Sequence, residues 1–278
     1  MGSTIACIGS GVMGTALMRG IAGLGETIGF ADTDRSKAEA AARSLGAGVY
    51  ASNTEAADRG DYVFLAVKPQ TLLGALREIA GTVQKRVAEG RPPALVSMAP
   101  GWPLGRIQAA LAGGTPFPPG KAPPAARIMP NTPALVAQGV IALAVSPEFS
   151  LEKTRELEGL LASAGMVDLL EESYMDAVTG LSGCGPGFVY LFIEALADGG
   201  VRAGLPRDKA LRYAVQTVLG SACMVRDTGK HPGELKDMVA SPGGATIAGI
   251  AALENGAFRG AVMNAVEAAC RRSLELGQ

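Results

Sequence analysis

Apolar residues follow two different rhythms along this chain. Residues 4–8 form a short apolar run that ends in Gly9-Ser10-Gly11-Val12-Met13-Gly14, and residues 15–24 place apolar side chains at helical spacing. That pattern predicts strand, tight turn, helix. The pattern then repeats. Residues 26–31 read as a strand and 37–45 as an Ala-rich helix. The run DYVFLAV at 61–67 reads as a buried strand, 69–83 as a helix, 94–98 and 125–129 as strands, and 141–145 as an edge strand. Strands alternating with helices predict a Rossmann-type doubly wound α/β domain with a mostly parallel sheet.

The rhythm changes after residue 150. Beyond a last strand-like run at 167–170, helical stretches follow at 175–203, 207–226, 232–239, 246–254 and 258–276, with Pro206 and Pro232 placed to open helices. The chain therefore divides into a dinucleotide-binding domain over 1–170 and an all-α domain over 171–278. Residues 188–197 are apolar on nearly every side and call for burial all round, with a second subunit as a source of cover. Five prolines between residues 112 and 124 rule out helix or central strand and predict an exposed loop.

Composition narrows the function. Hydrophobic residues make up 48% of 278 and charged residues 18%, enough for two cores, and the formal net charge is -1. A near-neutral chain gives no reason to expect nucleic acid as a partner. Cys7, Cys184, Cys223 and Cys270 form no CxxC pair, and His231 is the single histidine. Reduced thiols and no metal site are expected. A strand begins at once, leaving no room for a signal peptide, and the longest apolar stretch, 187–193, is too short to span a bilayer. The expectation is a cytoplasmic protein without a membrane partner.

The candidate chemistry begins at the glycine loop. Gly9 permits the tight turn, Gly11 lets backbone approach a pyrophosphate, and Gly14 permits close packing of helix on strand. The helix amides behind Ser10, Val12 and Met13 then face the phosphates. Asp32 ends the second strand, where a carboxylate takes ribose hydroxyls and favours NADH. Thr33 and Arg35 follow in the same turn, and the basic residue could offset repulsion of a 2′-phosphate, so NADH and NADPH both remain open. Helix capping is the alternative role for Asp32. Ligands bind beyond the carboxyl ends of parallel strands, which places Ala66, Val67, Lys68 and Pro69, then Met98 and Ala99, then Asn131 beside the coenzyme.

Two glycine-rich segments interrupt the helical half, LSGCGPG at 181–187 and SPGGAT at 241–246. Glycine among helices costs about 1 kcal/mol relative to alanine, a cost accepted where backbone touches something closely. After Ser241 and Pro242, the amides of Gly243, Gly244 and Ala245 form a donor array suited to a small carboxylate. The Thr246 hydroxyl either caps the following helix or meets a substrate atom. His231, before Pro232, reads as a helix cap, and Tyr190 as core.

IGSGVMG, AVKPQ (66–70), MPNTPALV (129–136), DAVTGLSGCGP (176–186), EALADGGVRAGLPRDKA (194–210) and HPGELKDMVASPGGATI (231–247) together resemble pyrroline-5-carboxylate reductase over nearly the whole chain. The resemblance implies a Rossmann domain followed by an all-helical domain. That second domain makes a homodimer through the C-terminal helices, able to assemble into a larger ring such as a decamer. It implies an active site between coenzyme and helical domain with both subunits contributing, and a cyclic imino acid as substrate. It places Ser241 and Gly243 to Thr246 at the substrate carboxylate, the Thr246 hydroxyl at the ring nitrogen, Glu172 near substrate, and Asn53 at the adenosine half of NADPH or NADH. Three positions depart from the family pattern: Cys184 stands for a usual serine, Met98-Ala99-Pro100-Gly101 for a usual Ala-Ala-Gly ending, and Asp32 for residues friendlier to a 2′-phosphate.

Imine chemistry suits these residues. Hydride addition to a carbonyl needs a proton donor at the oxygen. The related β-hydroxyacid dehydrogenases carry a lysine where the helix GCGPGFVYLF has none. A cyclic imine arrives already protonated, so orientation and one hydroxyl suffice. Two other readings remain open at this level: an NAD(P)-dependent dehydrogenase of another small hydroxy or imino acid, and a dinucleotide sensor without catalysis.

Overall fold

The computed structural model describes residues 2–277. The first half alternates strands and helices: β1 (Thr4–Ile8), α1 (Val12–Ala22), β2 (Thr27–Ala31), α2 (Arg35–Leu45), β3 (Gly48–Val49), α3 (Asn53–Arg59), β4 (Tyr62–Leu65), α4 (Pro69–Ala88), β5 (Ala94–Ser97), α5 (Leu104–Ala112), β6 (Ala125–Pro130), β7 (Gly139–Val145), α6 (Leu151–Ala162) and β8 (Gly165–Leu169). The strands make one sheet in the order β3-β2-β1-β4-β5-β6-β7-β8, parallel except for the β6–β7 pair. Alternation along each strand feeds two cores. Ile5, Cys7, Tyr62 and Phe64 pack under α1, α2 and α6, while Ala6, Ile8, Val63 and Leu65 pack under α3, α4 and α5. A sheet covered on both faces explains why these strands read as continuous apolar runs.

One placement differs from the sequence expectation. β7 is interior, and β8 forms the edge beside it. The β7 run alternates too little to mark an outer face, because Ile141, Ala142, Leu143 and Ala144 are all buried. Gly165, at φ 148, starts β8 where any Cβ would lie 2.1 Å from the Gly139 carbonyl oxygen, so the edge strand depends on glycine there.

Later elements are helical: a single turn α7 (Met175–Val178), a π-helical turn at Thr179–Gly183, then α8 (Gly185–Arg202), α9 (Arg207–Thr228), α10 (Pro232–Met238), α11 (Ala245–Asn255) and α12 (Phe258–Gly277). By contacts, one compact unit runs to Gly183 and takes back the chain from Ala269, and the other spans Cys184–Ala268. Residues 171–183 thus pack with the sheet unit, beyond the 170/171 division suggested by composition. In the second unit α8 lies on α9 through Ala197, Ala210 and Ala214, with Gly200 admitting the Ala210 methyl. Few other side chains there are buried. Tyr190 is 58% exposed and Leu191 68%, so Tyr190 is not core within the single chain. An apolar groove of about 800 Å³ runs beside them. Within the helical run 172–202 an 18-residue window reaches a mean hydropathy of 1.3, so that run is long and apolar enough to cross a membrane by length and composition only.

Candidate active site

The glycine loop is built as its spacing requires. Gly9 adopts φ +98, and a Cβ on it would sit 2.6 Å from the Ala66 carbonyl oxygen. Gly14 faces Ala66 Cβ and the Gly9 carbonyl oxygen, each 2.8 Å from where its own Cβ would be. Gly11 has open space on that side and caps α1 with ordinary extended angles. The loop is therefore tight where helix meets strand and open where a ligand would lie. No acidic residue occupies the first turn of α1, leaving its amide dipoles unopposed for a pyrophosphate. These contrasts give opposite expectations for two similar substitutions. Gly14→Ala should lower the unfolding free energy by about 1–3 kcal/mol through overpacking. Gly11→Ala should leave the melting temperature in place and weaken coenzyme binding about tenfold or more, the equivalent of one lost close backbone contact. Thermal melts and coenzyme titrations on both variants separate the two.

Asp32 braces the loop. Its Oδ2 accepts from the Ser10 amide and hydroxyl, both at 2.8 Å, and its Oδ1 accepts from the Asp34 amide at 2.9 Å. Burial pushes this carboxyl up, but the amides of Ser10 and Asp34 and the Ser10 hydroxyl outweigh it, and the group sits below its ordinary value of 3.8. The capping role belongs instead to Asp34, which accepts from the Ser36 amide. Because the folded pKa is depressed, the stability Asp32 contributes is complete above 3.8 and fades as pH falls through that value toward the lower folded one. The melting-temperature gap between wild type and Asp32→Asn should stay constant from neutral pH to about pH 5 and shrink below it; a gap that widens in acid would contradict the brace.

Asp32, Thr33 and Asn53 line a cavity of about 250 Å³ that reaches Ile8, Gly9 and Val67. A second of similar size adds Arg35. Asn53 is buried at the start of α3 and donates its Nδ2 to Glu78 Oε2 on α4 at 2.7 Å. Glu78 was not visible as a site residue, because nothing in the local pattern links α3 to α4.

The carboxyl ends of β1, β4, β5 and β6 share one edge of the sheet, as the parallel pairings require. Ala66, Val67, Lys68 and Pro69 follow β4 there, and Met98 and Ala99 follow β5. Ala66 must be small, since it faces Gly14. Lys68 is exposed, and Pro69 opens α4 while its carbonyl accepts from the Trp102 indole at 3.2 Å. Asn131, expected at the coenzyme, has its side chain engaged inside the protein. It donates to the Ser182 carbonyl at 3.1 Å and accepts from the Val140 amide at 2.9 Å. It clamps the π-helical turn to the sheet. Glu172, expected near substrate, likewise has Oε1 engaged, by the Leu104 amide at 2.7 Å and by Arg127 Nη1 at 3.0 Å. Arg127 is buried on β6 between Ala126 and Ile128, and a charged residue inside an apolar strand was the available signal for a pairing of this kind.

In the helical unit, Gly243 adopts φ 68 and Gly244 caps α11 without a side-chain bond. The Gly244 amide closes a turn onto the Ser241 carbonyl at 3.0 Å and so is not part of an open donor array. The amides of Gly243, Ala245 and Thr246 have no backbone acceptor among the described residues. Thr246 stands second in α11, exposed, and does not cap the helix. His231 is the cap expected, its Nδ1 accepting from the Gly233 amide at 3.0 Å. No group of three or more His, Cys, Asp or Glu side chains able to hold a metal occurs among the described residues.

Comparisons with known proteins agree with this geometry. Residues 172–276 match the family model for pyrroline-5-carboxylate reductase dimerisation, and 4–88 match that for NADP oxidoreductase, coenzyme F420-dependent. A pyrroline-5-carboxylate reductase of Glycine max is 44% identical over 98% of this chain and 96% of its own. The solved enzyme of Streptococcus pyogenes superposes with a TM-score of 0.86 at 30% identity, covering 99% of both chains. The pyrroline carboxylate reductase of Plasmodium falciparum, solved with NADP bound, gives a TM-score of 0.84 at 30% identity over 99% of this chain and 98% of that one. With a glycine loop built for a dinucleotide, a Thr246 hydroxyl turned away from capping, and relatives matched along their whole length, this chain belongs to the pyrroline-5-carboxylate reductase family.

Proposed function

We infer that the chain is an NAD(P)H-dependent oxidoreductase that reduces 1-pyrroline-5-carboxylate to L-proline, the last step of proline biosynthesis. The observation that carries this reading is the pair of groups at the start of α11: amides with no backbone acceptor among the described residues and a threonine hydroxyl that makes no helix-capping bond. The amides of Gly243, Ala245 and Thr246 hold the substrate carboxylate, with Ser241 shaping the turn by accepting from Gly244. The Thr246 hydroxyl accepts the N–H of the protonated ring and fixes which face of the C=N carbon is open. The reduced nicotinamide, when bound, supplies the hydride. Hydride adds to the imine carbon, the C=N electron pair moves to nitrogen, and the nitrogen keeps its proton, so no strong protein acid is required. The glycine loop, Asp32, Thr33, Arg35 and Asn53 hold the adenosine and pyrophosphate half of the coenzyme, and Ala66 to Pro69, Met98 and Ala99 border the nicotinamide half. Asn131 and Glu172 position the surrounding segments.

Residues 171–278 serve as the dimerisation and substrate domain. The apolar groove at Tyr190, Leu191 and Leu211 supports a homodimer formed through these helices, and a ring such as a decamer would be built from such dimers. That apolar face is read as a chain–chain contact rather than a membrane surface, and the location proposed with it is the cytoplasm. The direct test is oxidation of NADH or NADPH with pyrroline-5-carboxylate added. Turnover giving proline is expected; turnover only with a 2-keto or 2-hydroxy acid would move the chain to a different reaction.

A further inference from the structure

We propose that Asp32, Asn53 and Glu78 form a ribose subsite made of hydrogen-bond acceptors, which selects NADH over NADPH. The proposal rests on the coenzyme reading above and adds a discrimination to it. Two adjoining cavities share Asp32, Thr33, Asn53 and Glu78. A carboxylate can only accept, so the Glu78 contact dictates which way the Asn53 amide points: Nδ2 toward Glu78, Oδ1 left over. That Oδ1 accepts no hydrogen bond from the described residues. Asp32 presents a second carboxylate at the same place, its position set by Ser10 and Asp34.

The nearby cations are already paired. Arg35 lines the second cavity and binds Glu39 at 3.0 Å in an exposed pair, and Lys37 lies 3.4 Å from Asp34. A ribose 2′-hydroxyl can donate to any of these acceptors. A 2′-phosphate brings only acceptor oxygens and nearly two negative charges to a spot that already holds the carboxylates of Asp32 and Glu78. The usual device for accepting the phosphate is an arginine at this turn. Here Arg35 shares its charge with Glu39 and faces two carboxylates, Asp32 and Glu78, lining the same cavity.

The test is calorimetric titration of the full-length protein with NADH and NADPH in the absence of substrate. NADPH should bind about tenfold more weakly or worse, one or more units of log Kd. Glu78→Gln keeps an acceptor for Asn53 and removes a charge. It should tighten NADPH several-fold and move NADH less than twofold. Asp32→Asn, which can still accept from the Ser10 amide, should act in the same direction, and the double variant should bring the two coenzymes close to parity. Equal or tighter binding of NADPH by the wild type overturns the proposal, as does an equal shift of both coenzymes in Glu78→Gln. Binding of neither overturns the coenzyme reading along with it. NADH selectivity without turnover of pyrroline-5-carboxylate leaves the proposal standing and removes only the substrate assignment.

Discussion

Glu172→Ala is expected to lower the free energy of unfolding by about 3 kcal/mol, a loss typical of a buried ion pair stripped of one partner. Arg127 is 5% exposed, its Nη1 bonds Glu172, and its Nη2 is buried without any hydrogen-bond partner. Removing the carboxylate leaves a guanidinium inside the sheet unit with no anion beside it. The Leu104 amide at the start of α5 loses its acceptor in the same step. The Glu172 side chain is 32% exposed, so water can enter and soften the loss, which places the estimate at the lower end of the about 3–5 kcal/mol seen for fully buried pairs. Glu172→Gln keeps an acceptor for Leu104 but not the charge and should fall between. Urea denaturation measures both, and coenzyme affinity should be unchanged in each. If Glu172→Gln instead kept full stability and raised KM for the substrate alone, the residue would be a substrate contact, as the family resemblance implied, and not an anchor.

That contrast shows which parts of the molecule could be read from sequence. The inner strands could, because they are buried on both faces and read as apolar runs. The glycine loop could, because φ +98 at Gly9 and the 2.8 Å approach at Gly14 admit no other residue. Short helices escaped notice where their signals are polar. Ser52 and Glu55 open α3 as a capping pair, the serine accepting from the Glu55 amide and Glu55 reaching back to the Ala51 amide, but only seven residues follow. β8 reads only in part, as a strand-like run at 167–170 with the edge position given to β7, because it is half-exposed and carries little hydrophobic contrast. The greatest losses were side-chain partners far apart in sequence. Asn53 with Glu78, Arg127 with Glu172 and Asn131 with Ser182 are each joined by the sheet order rather than by any local period. Site membership was legible from strand ends; which of those side chains still has a free polar atom was not. Asn131 and Glu172 engage partners inside the sheet unit, while the Thr246 hydroxyl makes no capping bond at α11.

Thr246→Ala is expected to cut turnover by tens-fold, about 2–3 kcal/mol of transition-state stabilisation, while folding and coenzyme affinity stay as they are. The structure makes this a clean substitution. Gly244 caps α11 through its backbone, so no capping bond is lost, and alanine is the better helix former at an exposed second position. A drop in stability is therefore not available as an explanation for lost activity. The hydroxyl stands beside the amides of Gly243 and Ala245, which have no backbone acceptor among the described residues. Thr246→Ser restores the oxygen without the methyl and should recover most of the rate. Loss of the hydroxyl removes an acceptor that holds the ring N–H as the nitrogen changes from planar iminium to amine, so the effect should appear in kcat at saturating substrate as well as in kcat/KM. An alanine variant with undiminished kcat would take Thr246 out of the mechanism and leave the carboxylate-binding amides as the only substrate contact in α11.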